Sequence, residues 1–141
     1  MIKWTQEDVD RVRAKRQSSQ TGAPVRSKYR NVKVRVDGIM WDSKHEAAHY
    51  HELKLRHAAG EIADLRWKVK FPLLCPVADT GEAAVVSEYI ADFVYMEQGT
   101  RVVADTKGKL TALYGLKRKW LALQEHIVIR EVYAGGRTRS N

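Results

Sequence analysis

The sequence is poor in cysteine and in long apolar runs. Its one cysteine, Cys75 in "FPLLCPV", leaves no internal disulfide to form, and without cysteine partners it makes a poor nucleus for a metal. Cys75 therefore reads as a small apolar filler. No stretch approaches the roughly 18 apolar residues of a membrane span, and the start, "MIKWTQEDVD", lacks the apolar segment of a signal peptide. A cytoplasmic chain with no membrane partner is expected. No internal repeat is visible either, and 141 residues with 44% hydrophobic content suit a single core.

A third scarcity is local. Between residues 11 and 30 there is no acid, but there are seven cations: Arg11, Arg13, Lys15, Arg16, Arg26, Lys28 and Arg30. The formal charge is +8, to which residues 1–10 contribute −2 and residues 31–141 contribute +3. Almost all of the excess thus lies in one segment. A segment of this kind suits a polyanion, because each neutralised phosphate releases counterions and raises affinity without sequence preference. A solvated basic tail is the alternative.

Hydrophobic period and turn chemistry organise the rest. Thr5, Asp8 and the Trp4/Val9 pair fit a helix start, so residues 5–17 read as a short helix, followed by the linker-like "SSQTGAPVRS". Residues 1–28 are expected to be a basic helix and linker, 29–133 a folded domain, and 134–141, "AGGRTRSN", a disordered tail. Within the domain, "KVRVDGIMW" reads as a hairpin turning at Asp37-Gly38. A helix from about Ser43 to Ala59 ends at Gly60. Strands follow at "LRWKVKFPL", "VVSEYIADFVYM" and "RVVADTK", then a helix from Thr111 to about Gln124 and a strand at "HIVIREV". In the second helix Leu113, Leu116, Trp120 and Leu123 share one stripe, flanked by Lys117, Arg118 and Lys119. The order helix, three strands, helix, strand implies an α/β fold, a mixed α+β sandwich around a small sheet.

Chemistry concentrates in "EYIADFVYMEQGTRVVADTKG". Alternation places Tyr89, Ala91, Phe93 and Tyr95 on one face of a strand, and Ile90, Asp92, Val94 and Met96 on the other. Val103, Asp105 and Lys107 share a face of the next strand. A two-residue loop at Gln98-Gly99 would set Glu97 opposite Thr100 and hence Asp92 opposite Asp105; a three-residue loop would shift the pairing by one. Directly opposed carboxylates, with Cβ atoms roughly 5 Å apart, destabilise a sheet unless something offsets them. A divalent cation with hard oxygen ligands, Mg²⁺ rather than zinc, would do so. Lys107 points into the same space and could orient a water or stabilise a phosphorane-like transition state. The plainer reading ends both strands at solvent. Glu46 is a third carboxylate, on the helix stripe with His49, Tyr50, Leu53 and His57. Ser43-x-x-Glu46 is also a capping box, in which Glu46 would reach back to the Ser43 N–H.

"DSKHEAAHYHELKLRHAAGEI", "YIADFVY" and "VVADTKG", taken in order, resemble a phage-associated family of small proteins in the PD-(D/E)XK nuclease superfamily, related in fold to Holliday-junction resolvases and restriction endonucleases. The resemblance covers roughly residues 28–133 and departs in one place, with Ala91 where the superfamily often has proline before Asp92. It implies a restriction-endonuclease-like core and a Mg²⁺- or Mn²⁺-dependent endonuclease acting on DNA, branched DNA among the candidates, in a bacterial host's cytoplasm if phage-encoded. It further implies that Asp92, Asp105 and the Thr106 main-chain carbonyl bind the metal, that Glu46 ligates it directly or through water, and that Lys107 positions the attacking water. Lys109, Lys117 and Arg118 suit phosphate contacts. Cleavage of both strands would favour a homodimer, although no segment declares itself an interface.

Two other functions remain open. One is a non-catalytic nucleic-acid-binding module on the same fold. The other is a zinc peptidase, because His45-Glu46-Ala47-Ala48-His49 matches H-E-x-x-H literally. That match falls in the first helical turn, has Glu52 where the longer metzincin pattern wants glycine, and leaves Asp92 and Asp105 unused. His45, His49, His51 and His57 read better as surface or packing residues.

Overall fold

The computed structural model describes residues 32–107 and 109–140. The helix expected over residues 5–17, the linker and the seven cations between Arg11 and Arg30 lie outside the described residues. Two short strands, β1 (Val34–Val36) and β2 (Ile39–Trp41), come first, then helix α1 (Lys44–Ala58). Three long strands follow: β3 (Ile62–Pro76), β4 (Ala83–Glu97) and β5 (Thr100–Lys107). Helix α2 (Ala112–Glu125) and strands β6 (Ile129–Tyr133) and β7 (Thr138–Ser140) complete the order. β1 and β2 form a separate hairpin; the main sheet runs β3-β4-β5-β6-β7. Among the described residues only β5 and β6 pair in parallel, joined through α2. The described part of the fold is thus mixed α+β, with a mostly antiparallel, partly parallel sheet and two helices.

Local chemistry sets the boundaries. Asp37 and Gly38 both take positive φ (52° and 77°), as do Gln98 and Gly99 (49° and 77°), which suits two-residue turns whose twist matches the flanking strands. Ser43 caps α1, its Oγ accepting from the Glu46 N–H at 3.1 Å. The helix ends on Gly60, with the Gly60 N–H donating to the His57 carbonyl and the Glu61 N–H to that of Arg56. This paired closure needs a left-handed residue at Gly60, whose φ is 76°. Thr111 caps α2 in the same way, accepting from the Tyr114 N–H at 3.2 Å.

Each face of the sheet has its own core. On one, Trp41, Tyr50 and Leu53 from the hairpin and α1 pack on Phe93, Tyr95, Val102 and Ala104. Trp41 lies 4.6 Å from Tyr50 and 5.4 Å from Phe93, ring centroid to centroid. On the other, Tyr114 and Leu121 of α2 pack with Phe71, Leu73, Val103 and Ile129. Fully burying one such side chain contributes about 1.5–3 kcal/mol.

Four expectations need correction. Tyr89, Ala91, Phe93 and Tyr95 do not share a face: Tyr89 and Ala91 pack with α2, Phe93 and Tyr95 with α1. Alternation therefore breaks at Asp92, and β3 breaks beside it, where Lys68 takes φ 52°. Second, the stripe of α2 is not its buried side. Leu113, Leu116 and Leu123 are 61%, 57% and 83% exposed. Polar anchors fix the helix rotation instead: the Trp120 indole donates to the Leu74 carbonyl at 2.9 Å, and Gln124 Oε1 accepts from the Leu74 N–H at 2.8 Å. Third, the tail read as disordered carries β7, turned back onto β6 through Gly135 and Gly136, both with positive φ. Fourth, Cys75 is exposed, so it fills no core.

Candidate functional site

The β4–β5 turn has the two-residue form, and its ladder runs from Glu97↔Thr100 to Phe93↔Ala104. One step further places Asp92 beside Asp105, where the ladder stops. Asp92 stops it: its Oδ2 accepts from both the N–H (2.9 Å) and the hydroxyl (2.7 Å) of Thr106, taking a main-chain donor out of strand pairing. Both carboxylates are buried, with Asp92 7% and Asp105 4% exposed.

Two buried acids in contact cannot both ionise at little cost. Burial, followed by the hydrogen bond and charge of Asp92, raises the Asp105 carboxyl to about 7, against the pull of Lys107. Burial also acts to raise Asp92 but is outweighed by its hydrogen bond with Asp105, the charge of Lys68 and the two donors of Thr106, so Asp92 ends below 3.8. Burial and the neighbouring Asp92 thus favour the protonated form of Asp105, while Thr106 and Lys68 favour the ionised form of Asp92.

Asp105 is held from two further sides. The Tyr89 hydroxyl donates to its Oδ2 at 2.5 Å, and Lys107 Nζ lies 2.5 Å from the same oxygen. Lys107 Nζ also stands 3.8 Å from the Tyr114 ring centroid, a cation–π contact that fixes its direction. Tyr114 is in turn fixed by Glu131, the parallel neighbour of Asp105 on β6. Glu131 is 1% exposed and accepts from the Tyr114 hydroxyl (2.9 Å), Arg118 (2.7 Å) and the Tyr133 hydroxyl (2.6 Å). Burial pushes its carboxyl up, but those three donors outweigh burial and leave it lowered.

Glu46 does not reach back to its own helix N-terminus. Ser43 supplies half of a capping box, while the Glu46 carboxylate accepts from Lys68 Nζ at 2.8 Å. The same ammonium donates to Asp92 Oδ1 at 3.0 Å and lies 3.4 Å from Asp42 Oδ2. Burial, with the charge of Asp92 adding to it, raises the Glu46 carboxyl despite Lys68. Lys68 owes its aim to β3. Trp67 pairs with Phe93 and Val69 with Ala91, which sets Lys68 opposite Asp92. Its left-handed φ costs roughly 1–2 kcal/mol for a residue with a Cβ. Sequence reasoning missed Lys68: the register could have signalled it, but a lysine at a left-handed position carries no mark of its own.

The remaining candidates divide. Arg118, read as a phosphate contact, is engaged with buried Glu131. Lys117 donates to the Glu88 carbonyl at 2.7 Å on the surface, and Lys109 is exposed beside the end of β5. His49 is buried edge-on against Phe93, 5.3 Å between centroids, and its burial lowers the imidazole pKa so that the neutral ring is favoured. Glu46 is held by Lys68 rather than by His45 or His49.

The donor set is hard oxygen throughout. Asp92 and Asp105, with water completing the shell, make a Mg²⁺-type set, which commonly uses one or two carboxylates. A cation would also relieve the repulsion between the two buried acids, so the residues fit such an ion. Among the described residues no three His, Cys, Asp or Glu side chains gather into one metal-holding group. Glu46 is joined to Asp92 only through Lys68. Thr106 meets Asp92 through its N–H and hydroxyl.

A family described as "Protein of unknown function (DUF1064)" matches residues 26–135, which include all of α1, the long strands, α2 and β6. No curated protein and no solved structure matches.

Proposed function

We propose that this chain, which belongs to the DUF1064 family of proteins of unknown function, is a divalent-metal-dependent endonuclease that hydrolyses DNA phosphodiester bonds on a restriction-endonuclease-like core. One observation carries the reading: Asp92 and Asp105 lie buried side by side where β4 and β5 part, with Lys107 on Asp105 and Glu46 one ammonium away. The order α1-β3-β4-β5-α2-β6, with the acids on successive strands and a parallel β5-α2-β6 crossover, supports it.

Asp92, Asp105 and the Thr106 carbonyl would hold Mg²⁺ or Mn²⁺, with Glu46 ligating directly or through water, and the ion would supply Lewis-acid polarisation of the phosphate and a water acidic enough to attack. The protein's own groups do the rest. Tyr89 and Lys107 orient Asp105, so the carboxylate cannot turn away from Asp92. Lys107, steered by Tyr114, would place a positive charge beside the attacking water and the charge that develops on the phosphoryl oxygens. Thr106 fixes Asp92 and holds the strands apart.

The test is incubation with plasmid, single-stranded and four-way-junction DNA in Mg²⁺ or Mn²⁺, beside Asp105→Ala and Lys107→Ala. Metal-dependent cleavage that disappears in both variants supports the reading. A second reading, a binding module without catalysis, is favoured by the position of Lys68, which already bridges Glu46 and Asp92. DNA binding with no cleavage under any of these conditions would select it.

A further inference from the structure

The least expected group in the site is the cation already there. Lys68 Nζ lies 2.8 Å from Glu46 Oε2 and 3.0 Å from Asp92 Oδ1, joining two carboxylates that no other side chain bridges among the described residues. It reaches them because a left-handed residue at position 68 turns the side chain out of the strand's alternation, directly opposite Asp92. Its side chain is 33% exposed, so it has a path outward, and Asp42 Oδ2 at 3.4 Å offers an anchor on that path.

We propose that Lys68 is a built-in countercation that competes with the divalent ion. In the metal-free protein it holds Glu46 and Asp92 together and suppresses their repulsion. An ion that takes Glu46 Oε2 and Asp92 Oδ1 must compete with the ammonium for those oxygens, because two cations about 3 Å apart repel each other. Lys68 thus sets metal affinity without being a ligand. The inference rests on the metal-dependent reading above and concerns how the ion is admitted rather than what is cut.

The test uses the full chain and Mn²⁺ as the probe. Titration calorimetry with MnCl₂ at low ionic strength compares wild type, Lys68→Met, Lys68→Arg and Asp105→Asn, and each protein is melted with and without Mn²⁺. Lys68→Met is expected to bind Mn²⁺ at least about ten-fold more tightly than wild type. Its metal-free form should melt lower than wild type, and Mn²⁺ should raise its melting temperature by more. Lys68→Arg, which keeps the charge, should stay within about three-fold of wild type. If Lys68→Met does not fold, Lys68→Gln takes its place with the same expectation. Binding by wild type that Asp105→Asn abolishes, but that neither neutral variant tightens, overturns this inference and leaves the nuclease reading standing. If neither wild type nor the neutral variants bind Mn²⁺, both fall together.

Discussion

At the scale of single residues, Asp105 is where burial, a like charge and a cation meet, and its proton makes the site sensitive to pH. A carboxyl raised in the folded state stabilises the fold fully below its unfolded value and loses that contribution as pH climbs through the folded one. For Asp105 the window runs from 3.8 to about 7. A cation bound between the acids competes with this proton. Mg²⁺ should therefore raise the melting temperature more at pH 8 than at pH 5.5, and Asp105→Asn should remove that difference; equal shifts at both values would count against an ion at Asp105. Lys107 separates binding from chemistry: Lys107→Ala should keep Mn²⁺ binding while cleavage falls by roughly 10²–10³-fold, the usual loss for one group aimed at transition-state charge. The side-by-side placement of Asp92 and Asp105 was readable from sequence because a two-residue turn at Gln98-Gly99 fixes the register, although strict alternation fails at Asp92 itself. Lys68 was not, since its aim comes from a backbone conformation that glycine would have announced and lysine hides.

Elements were legible to the extent that their signals are local. Ser43 and Thr111 mark the starts of α1 and α2, and Asp37-Gly38 and Gln98-Gly99 mark the β1–β2 and β4–β5 turns, because capping and positive φ are decided within four residues. What failed depends on partners distant in sequence. The rotation of α2 is set by Leu74 on β3 and Glu131 on β6, which hold Trp120, Gln124, Tyr114 and Arg118, so the leucine stripe faces outward. The face switch in β4 falls opposite the left-handed Lys68 across the ladder, and β7 follows a glycine turn with too few apolar residues to look like a strand. The orientation of α2 can be checked by denaturation. Leu121→Ala should cost about 2–5 kcal/mol through the cavity it leaves, whereas Leu123→Ala, two residues on, should stay within about 0.5 kcal/mol of wild type. The reverse order would put the leucine stripe back in the core.

On the scale of the whole molecule, the charge is divided between regions in a way the site does not need for its chemistry. Residues 31–141, which contain every candidate catalytic group, carry only +3, while residues 11–30 carry seven cations and no acid. The cations around the acids are committed: Lys68 to Glu46 and Asp92, Lys107 to Asp105, Arg118 to Glu131. Exposed Arg35, Lys44, Lys109, Lys119, Arg137 and Arg139 make no ion pair among the described residues, but they are spread among acids, whereas residues 11–30 hold none, so the larger share of the salt-dependent affinity should come from the N-terminal segment. Each neutralised phosphate of duplex DNA contributes about 0.9 to the slope of log affinity against log salt. Replacing Arg11, Arg13, Lys15, Arg16, Arg26, Lys28 and Arg30 with glutamine in the full chain should therefore flatten that slope by up to about 6 units. The acids and Lys107 are untouched in such a variant, so cleavage at saturating DNA and low salt should persist near the wild-type rate. The discriminating measurement is the pair of quantities taken together. A flatter slope with an unchanged saturating rate separates a binding segment from a catalytic domain; an unchanged slope would place the phosphate contacts on the domain itself, with Lys109 and Lys117 the first residues to test.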